Sequence, residues 1–204
     1  MVRADSNIQT LDDLSGHTVS IGAEESGTER NATQILEFAG MPSSLVATKN
    51  LDYIEATKEL KAGDIDAFFC TAGLTTTVID ELSKECDIRL IPLTDTVISK
   101  MLESSLAYTS EVIPAGTYTG QTTDINTIGV KSVLITKADV SDDTIEQLTS
   151  LLFEKENEIS YSNSLKLELT YDFATDDIPI PFHDGAKRYY KPVDIAQNLI
   201  REYF

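Results

Sequence analysis

A short alternating strand, a turn of small residues and an amphipathic helix follow one another near the start of this chain, and that unit constrains its fold most. Thr18-Val19-Ser20-Ile21-Gly22 alternates as a strand does. After Ala23-Glu24-Glu25-Ser26, the residues Ala32, Ile35, Leu36 and Ala39 recur at i, i+3, i+4 and i+7, one face of a helix. Ser26 and Glu29 have capping-box spacing, and Gly40 with Pro42 ends the helix. The pattern then repeats. Strands are expected over 45–51, 66–70 and 88–93, and helices over 52–62, 75–84 and around Val97, Ile98, Met101 and Leu102. Strands and helices in alternation with short connections predict an α/β chain with a mainly parallel sheet covered on both faces.

The pattern changes near Pro114. The breaker-rich stretch 114–121 reads as a loop, followed by a strand over 128–136. A helix over 142–158 would turn Ile145, Leu148, Leu151 and Leu152 inward, and the tail reads as mostly helical. Beyond residue 137 no strands are evident for these helices to cover, although apolar stripes need a partner surface.

Charge excludes two classes of partner. With 16 Lys and Arg against 34 Asp and Glu, the net charge is −18, which repels phosphate backbones and anionic lipid surfaces. Nucleic acid is therefore not an expected partner. Cys70 and Cys86, the two cysteines, have no zinc or disulfide-framework spacing and are expected as separate thiols. Met1-Val2-Arg3-Ala4-Asp5 lacks the apolar stretch of a signal peptide, which read alone points to the cytoplasm.

No catalytic or metal constellation is written in the residues, and no cofactor motif. His17 sits at a turn after Gly16, and His183 reads as a helix-start residue. Neither a Walker loop nor G-x-G-x-x-G occurs. The one chemically suggestive feature is Ser26-Gly27-Thr28, which opens a helix after a strand. Unpaired backbone N–H groups converge there with two hydroxyls, and a helix N-terminus carries roughly half a positive charge, so a carboxylate could dock without any arginine. Capping by Ser26 alone accounts for the same residues.

Several segments carry a family resemblance. They are Val2-Arg3-Ala4-Asp5-Ser6 with Leu11-Asp12-Asp13-Leu14-Ser15-Gly16, and Ser26-Gly27-Thr28-Glu29 with Asn31 and Gln34-Ile35-Leu36. Next come Gly63-Asp64-Ile65-Asp66-Ala67-Phe68-Phe69 with Ala72-Gly73, and Ile113-Pro114-Ala115-Gly116-Thr117-Tyr118 with Gly120-Gln121. The last is Pro181-Phe182-His183 with Gly185-Ala186 and Arg188-Tyr189-Tyr190-Lys191. In this order they resemble the TAXI family of TRAP-transporter solute receptors, periplasmic binding proteins of the type II fold.

The resemblance implies two α/β lobes around a ligand cleft. Residues 11–127 would be one complete lobe, with 1–10 and 128–204 forming hinge strands and part of an incomplete other lobe. It implies a front segment, including a signal sequence, that this chain lacks, and hence a periplasmic or extracytoplasmic protein. The implied ligand is a small carboxylate such as glutamate or 2-oxoglutarate, delivered to a TRAP membrane component with no reaction and no cofactor or metal. Its carboxylate would meet Ser26, Gly27 and Thr28, with further backbone donors from Thr71, Ala72 and Gly73 and with Tyr118 as a wall. A chain without the front segment would bind ligand weakly or not at all, and would self-associate through apolar residues such as Ile145, Leu148 and Leu152. Two alternatives remain open: a ligand-sensing domain, and an enzyme on the same type II fold.

Overall fold

The computed structural model describes residues 1–155 and 169–190, and it divides the chain into two compact units, 1–129 and 130–204. Each is treated by itself.

The first unit is built on a five-stranded sheet. Its strands are β1 (Val2–Arg3), β2 (Thr18–Ser20), β3 (Ala47–Lys49), β4 (Ala67–Phe68) and β5 (Ile88–Arg89), in the spatial order β3-β2-β4-β1-β5. β2 runs parallel to β3 and β4, while β1 is antiparallel to both β4 and β5, so β1 alone is reversed. This mixed, mainly parallel sheet between two helical layers is the α/β class expected from the sequence.

Side-chain alternation sorts the core into two layers. Val2, Val19 and Ala67 stand in register and pack with Ala32, Ile35 and Leu36 of α1 (Gly27–Phe38) and with Val97, Ile98 and Met101 of α4 (Asp95–Ser104). Phe68 and Ile88 point the other way. They pack with Ala56 and Leu60 of α2 (Tyr53–Ala62) and with Ile79 and Leu82 of α3 (Thr77–Glu85).

The helix ends follow the expected chemistry. Ser26 Oγ accepts from Glu29 N, Asp52 Oδ1 from Glu55 N, and Thr94 Oγ1 from Val97 N. Gly63 closes α2 at φ 84°, a conformation that costs a residue with a Cβ. The strands are shorter than expected, and 90–93 is not strand. A two-stranded ribbon of β6 (Tyr108–Ile113) and β7 (Ile125–Val130) was not legible in the sequence. Gln121 Nε2 donates to the carbonyls of Ile113, Pro114 and Thr123, which closes the loop between these strands. His17, at its turn, lies 3.1 Å from Asp66 Oδ2, an atom that also accepts from Thr18 N.

In the second unit, α5 (Asp142–Glu154) packs against α7 (Asp184–Tyr190), with the short α6 (Tyr171–Thr175) between them in sequence. The strand expected over 128–136 ends at Val130, and Val133, Leu134 and Ile135 are exposed. The expected inward stripe of α5 is corrected: Ile145 and Thr149 are buried, while Leu148 and Leu151 are exposed. The reason is the narrow contact. α7 has only seven residues and covers the 145/149 side, where His183 Nδ1 accepts from Gly185 N and Arg188 pairs with Asp142 and Asp143. The helical reading of 156–158 and of the tail within 159–168 and 191–204 lies outside the described residues.

Candidate functional site

In an open α/β sheet, ligands bind beyond the carboxyl ends of the strands. At that edge of β3, β2 and β4, one polar network joins three connections of the first unit. After β2 the chain turns at Gly22 (φ 102°), and an added Cβ there would stand 2.7 Å from Thr28 Cβ. Only glycine lets the strand end approach the head of α1 so closely. Glu25 follows with φ 60°, and its N–H is held by Glu29 Oε2 at 2.6 Å. The other oxygen, Oε1, accepts from Asn50 Nδ2, which also donates to Gly22 O. Asn50 lies just beyond β3, so it fixes the turn after β2 to the end of the neighbouring strand.

Thr28 is buried, and its Oγ1 lies 2.7 Å from Tyr53 Oη at the start of α2. Tyr53 Oη donates to Thr71 O at 2.8 Å and accepts from Thr71 N at 3.2 Å. A phenol has one proton, so with that proton on Thr71 O the Thr28 hydroxyl is the donor to Tyr53. From α1, Asn31 Nδ2 reaches Thr71 Oγ1, and Tyr108 of β6 donates to Asn31 Oδ1 at 2.9 Å. No lysine or arginine side chain enters this network among the described residues.

The expected site residues are distributed unequally. Ser26, Gly27 and Thr28 form the head of α1, with Ser26 Oγ occupied as an acceptor by Glu29 N. Gly27 N and Thr28 N belong to the first helical turn, where no intrahelical acceptor is available to them. Thr71 is tied to the same cluster through Tyr53 and Asn31, and Ala72 and Gly73 continue from it as exposed backbone. The structure therefore brings 26–28 and 71–73 to one edge.

Tyr118 is elsewhere. It is buried with Phe68, Ile79, Leu82 and Ile88 on the sheet face opposite to α1, with its hydroxyl at the backbone of Thr76 and Thr75. Burial pushes its phenol above the usual tyrosine range, against the pull of those backbone hydrogen bonds. Sequence reading missed Asn50, Tyr53 and Tyr108. Asp52 with Glu55 marks a helix start beside Tyr53, but nothing in the local pattern says that its ring reaches two other connections.

The cysteines are free thiols, and both border the Phe68 core cluster. Burial pushes the Cys70 thiol up to about 11, partly offset by the neighbouring Tyr53 hydroxyl. A rise of about two units leaves about a hundredfold less thiolate at neutral pH, so Cys70 is expected to alkylate about a hundredfold more slowly folded than unfolded. Iodoacetamide labelling at pH 7.5 with and without urea, followed by peptide mass mapping, measures this. Equal rates would show that the thiol is open to solvent.

Among the described residues, no helix is long and apolar enough to cross a membrane. The periplasmic aliphatic sulphonate binding protein SsuA from Escherichia coli is similar at 16% identity and TM-score 0.46, over 94% of this chain and 51% of that one. The alkanesulfonate-binding protein SsuA from Xanthomonas axonopodis pv. citri, bound to MOPS, is similar at 14% identity and TM-score 0.45, over 93% of this chain and 53% of that one. The chain thus spans about half the length of these two solved structures. The model of the NMT1-like family matches residues 1–193, nearly the whole sequence, and the chain belongs to that family.

Proposed function

We propose that this protein is a solute receptor of the TAXI type, working outside the cytoplasm. It captures a small carboxylate such as glutamate or 2-oxoglutarate, performs no reaction on it, and hands it to a TRAP-type membrane component. The observation that carries this reading is the head of α1. There Gly27 N and Thr28 N lack helical acceptors beside the exposed 71–73 backbone, at the carboxyl edge of three parallel strands. Backbone donors and a helix dipole favour an anion without a cationic side chain. Arg30, one turn into α1 and close enough to act electrostatically on Tyr108, would add to that pull.

In this reading Ser26, Gly27, Thr28, Thr71, Ala72 and Gly73 face the ligand. Tyr118 supports the 75–76 backbone from the core side. Residues 11–127, completed by β1 in their sheet, form one lobe, and 130–204 supply part of the other.

Isothermal calorimetry with glutamate, 2-oxoglutarate and ethanesulfonate tests it, because the same amides could hold a sulfonate. Weak but saturable binding of a carboxylate, lost in Gly27→Pro, is the expected result. Proline at the first helical position keeps the helix but removes one of the two amide donors. Binding of the sulfonate alone would replace the ligand class, and carboxylate binding untouched by Gly27→Pro would move the site.

A further inference from the structure

We propose that Tyr53 is the positioning residue of this site: without touching the ligand, its hydroxyl fixes the spacing between the two sets of backbone donors. The inference rests on the ligand reading above and adds to it a residue that no sequence motif singles out.

The hydroxyl's partners all lie within the protein, with the Cys70 thiol beside it as well. Its proton goes to Thr71 O at 2.8 Å, and its oxygen takes Thr71 N–H at 3.2 Å and the Thr28 hydroxyl at 2.7 Å. Both backbone groups of Thr71 are therefore clamped to one atom. That same atom holds the side chain of Thr28, whose own N–H is one of the α1 donors. The clamp ties the heads of α1 and α2 to the connection that follows β4.

Asn31 adds a second tie, from α1 to Thr71 Oγ1, but Tyr108 already engages its carbonyl oxygen. Residues 71–74 are exposed, so little packing would hold them if Tyr53 let go. Backbone donors grip an anion well only when their separation is set in advance, since otherwise binding must order them.

Tyr53→Phe keeps the ring and removes only the clamp. Two readouts on the 204-residue chain test the proposal. The first is hydrogen exchange at the Thr71 amide, which should speed up in Tyr53→Phe while core amides of β2 keep their rates. The second is calorimetry with glutamate and 2-oxoglutarate, where affinity should fall about tenfold, the size of one well-placed hydrogen bond.

Leu60→Val is the control, because Leu60 is buried on α2 away from the site and its shortening costs stability alone. It should leave both readouts near the parent values. Equal affinity of Tyr53→Phe and the parent, or an equal loss in Leu60→Val, would overturn the positioning role while leaving the receptor reading intact. If the parent binds neither probe, faster exchange at Thr71 in Tyr53→Phe would show only a structural clamp, which overturns the positioning role.

Discussion

Gly22→Ala is expected to destabilise the first unit by about 3 kcal/mol, with an unchanged denaturant slope. Two costs combine. At φ 102° a side chain is strained, by about 1–2 kcal/mol in the left-handed region. The new Cβ would also stand 2.7 Å and 2.8 Å from the Thr28 side chain and 3.1 Å from Glu29 N, and overpacking of this kind costs about 1–3 kcal/mol. Thr28 cannot swing aside without leaving Tyr53, and Glu29 N is fixed by Ser26. Gly40→Ala separates the two costs. Its φ is also positive, at 76°, but nothing lies within 4 Å of the added Cβ, so only the strain of about 1 kcal/mol remains. Urea titrations of both variants decide. If Gly22→Ala is no worse than Gly40→Ala, the strand end and the helix head are not in the contact described.

Gly185→Ala is expected to cost the second unit about 3 kcal/mol or more, against the direction that helix propensity gives. In an isolated helix, alanine is better than glycine by about 1 kcal/mol. Here the added Cβ would run into Asp142 O and stand 3.0 Å from Glu146 N, both backbone atoms of α5. No rotamer relieves a backbone clash, so α7 must lift away. Arg188 then leaves Asp142 and Asp143. Phe153 of α5 would separate from Tyr189 and Tyr190 of α7, whose rings now lie 5.3 and 5.9 Å away. Loss of tyrosine near-ultraviolet circular dichroism at a lowered melting temperature is the expected signature. A stabilised protein with its aromatic signal intact would show that α5 and α7 do not meet at Gly185.

The two glycines illustrate what could be read without coordinates. Gly22 ends an alternating run and Gly185 falls in a recognisable closing motif, so their positions were legible. Their reasons were not, because each is set by a residue distant in space rather than in pattern: Thr28 across a turn, and Asp142 across two helices. Site residues divide the same way. Ser26-Gly27-Thr28 could be found because strand, small residues and helix follow one another locally. Tyr53 and Asn50 could not, since their partners lie 18 to 28 positions away.

Local chemistry, then, was the sequence's own contribution. Periods of two and 3.6 residues named the alternating elements and so the α/β class, and Ser26, Asp52 and Gly63 set helix ends through bonds to residues within one turn. Tertiary structure decided the rest. The order β3-β2-β4-β1-β5, with Val2–Arg3 reversed inside the sheet, depends on pairings between residues 29 to 87 positions apart that no local period encodes. Tyr118 is the clearest case. Its loop placed it near the expected ligand, but burial beside Phe68 put it on the face away from α1, because the alternation of β4 sends Ala67 and Phe68 to opposite sides of the sheet.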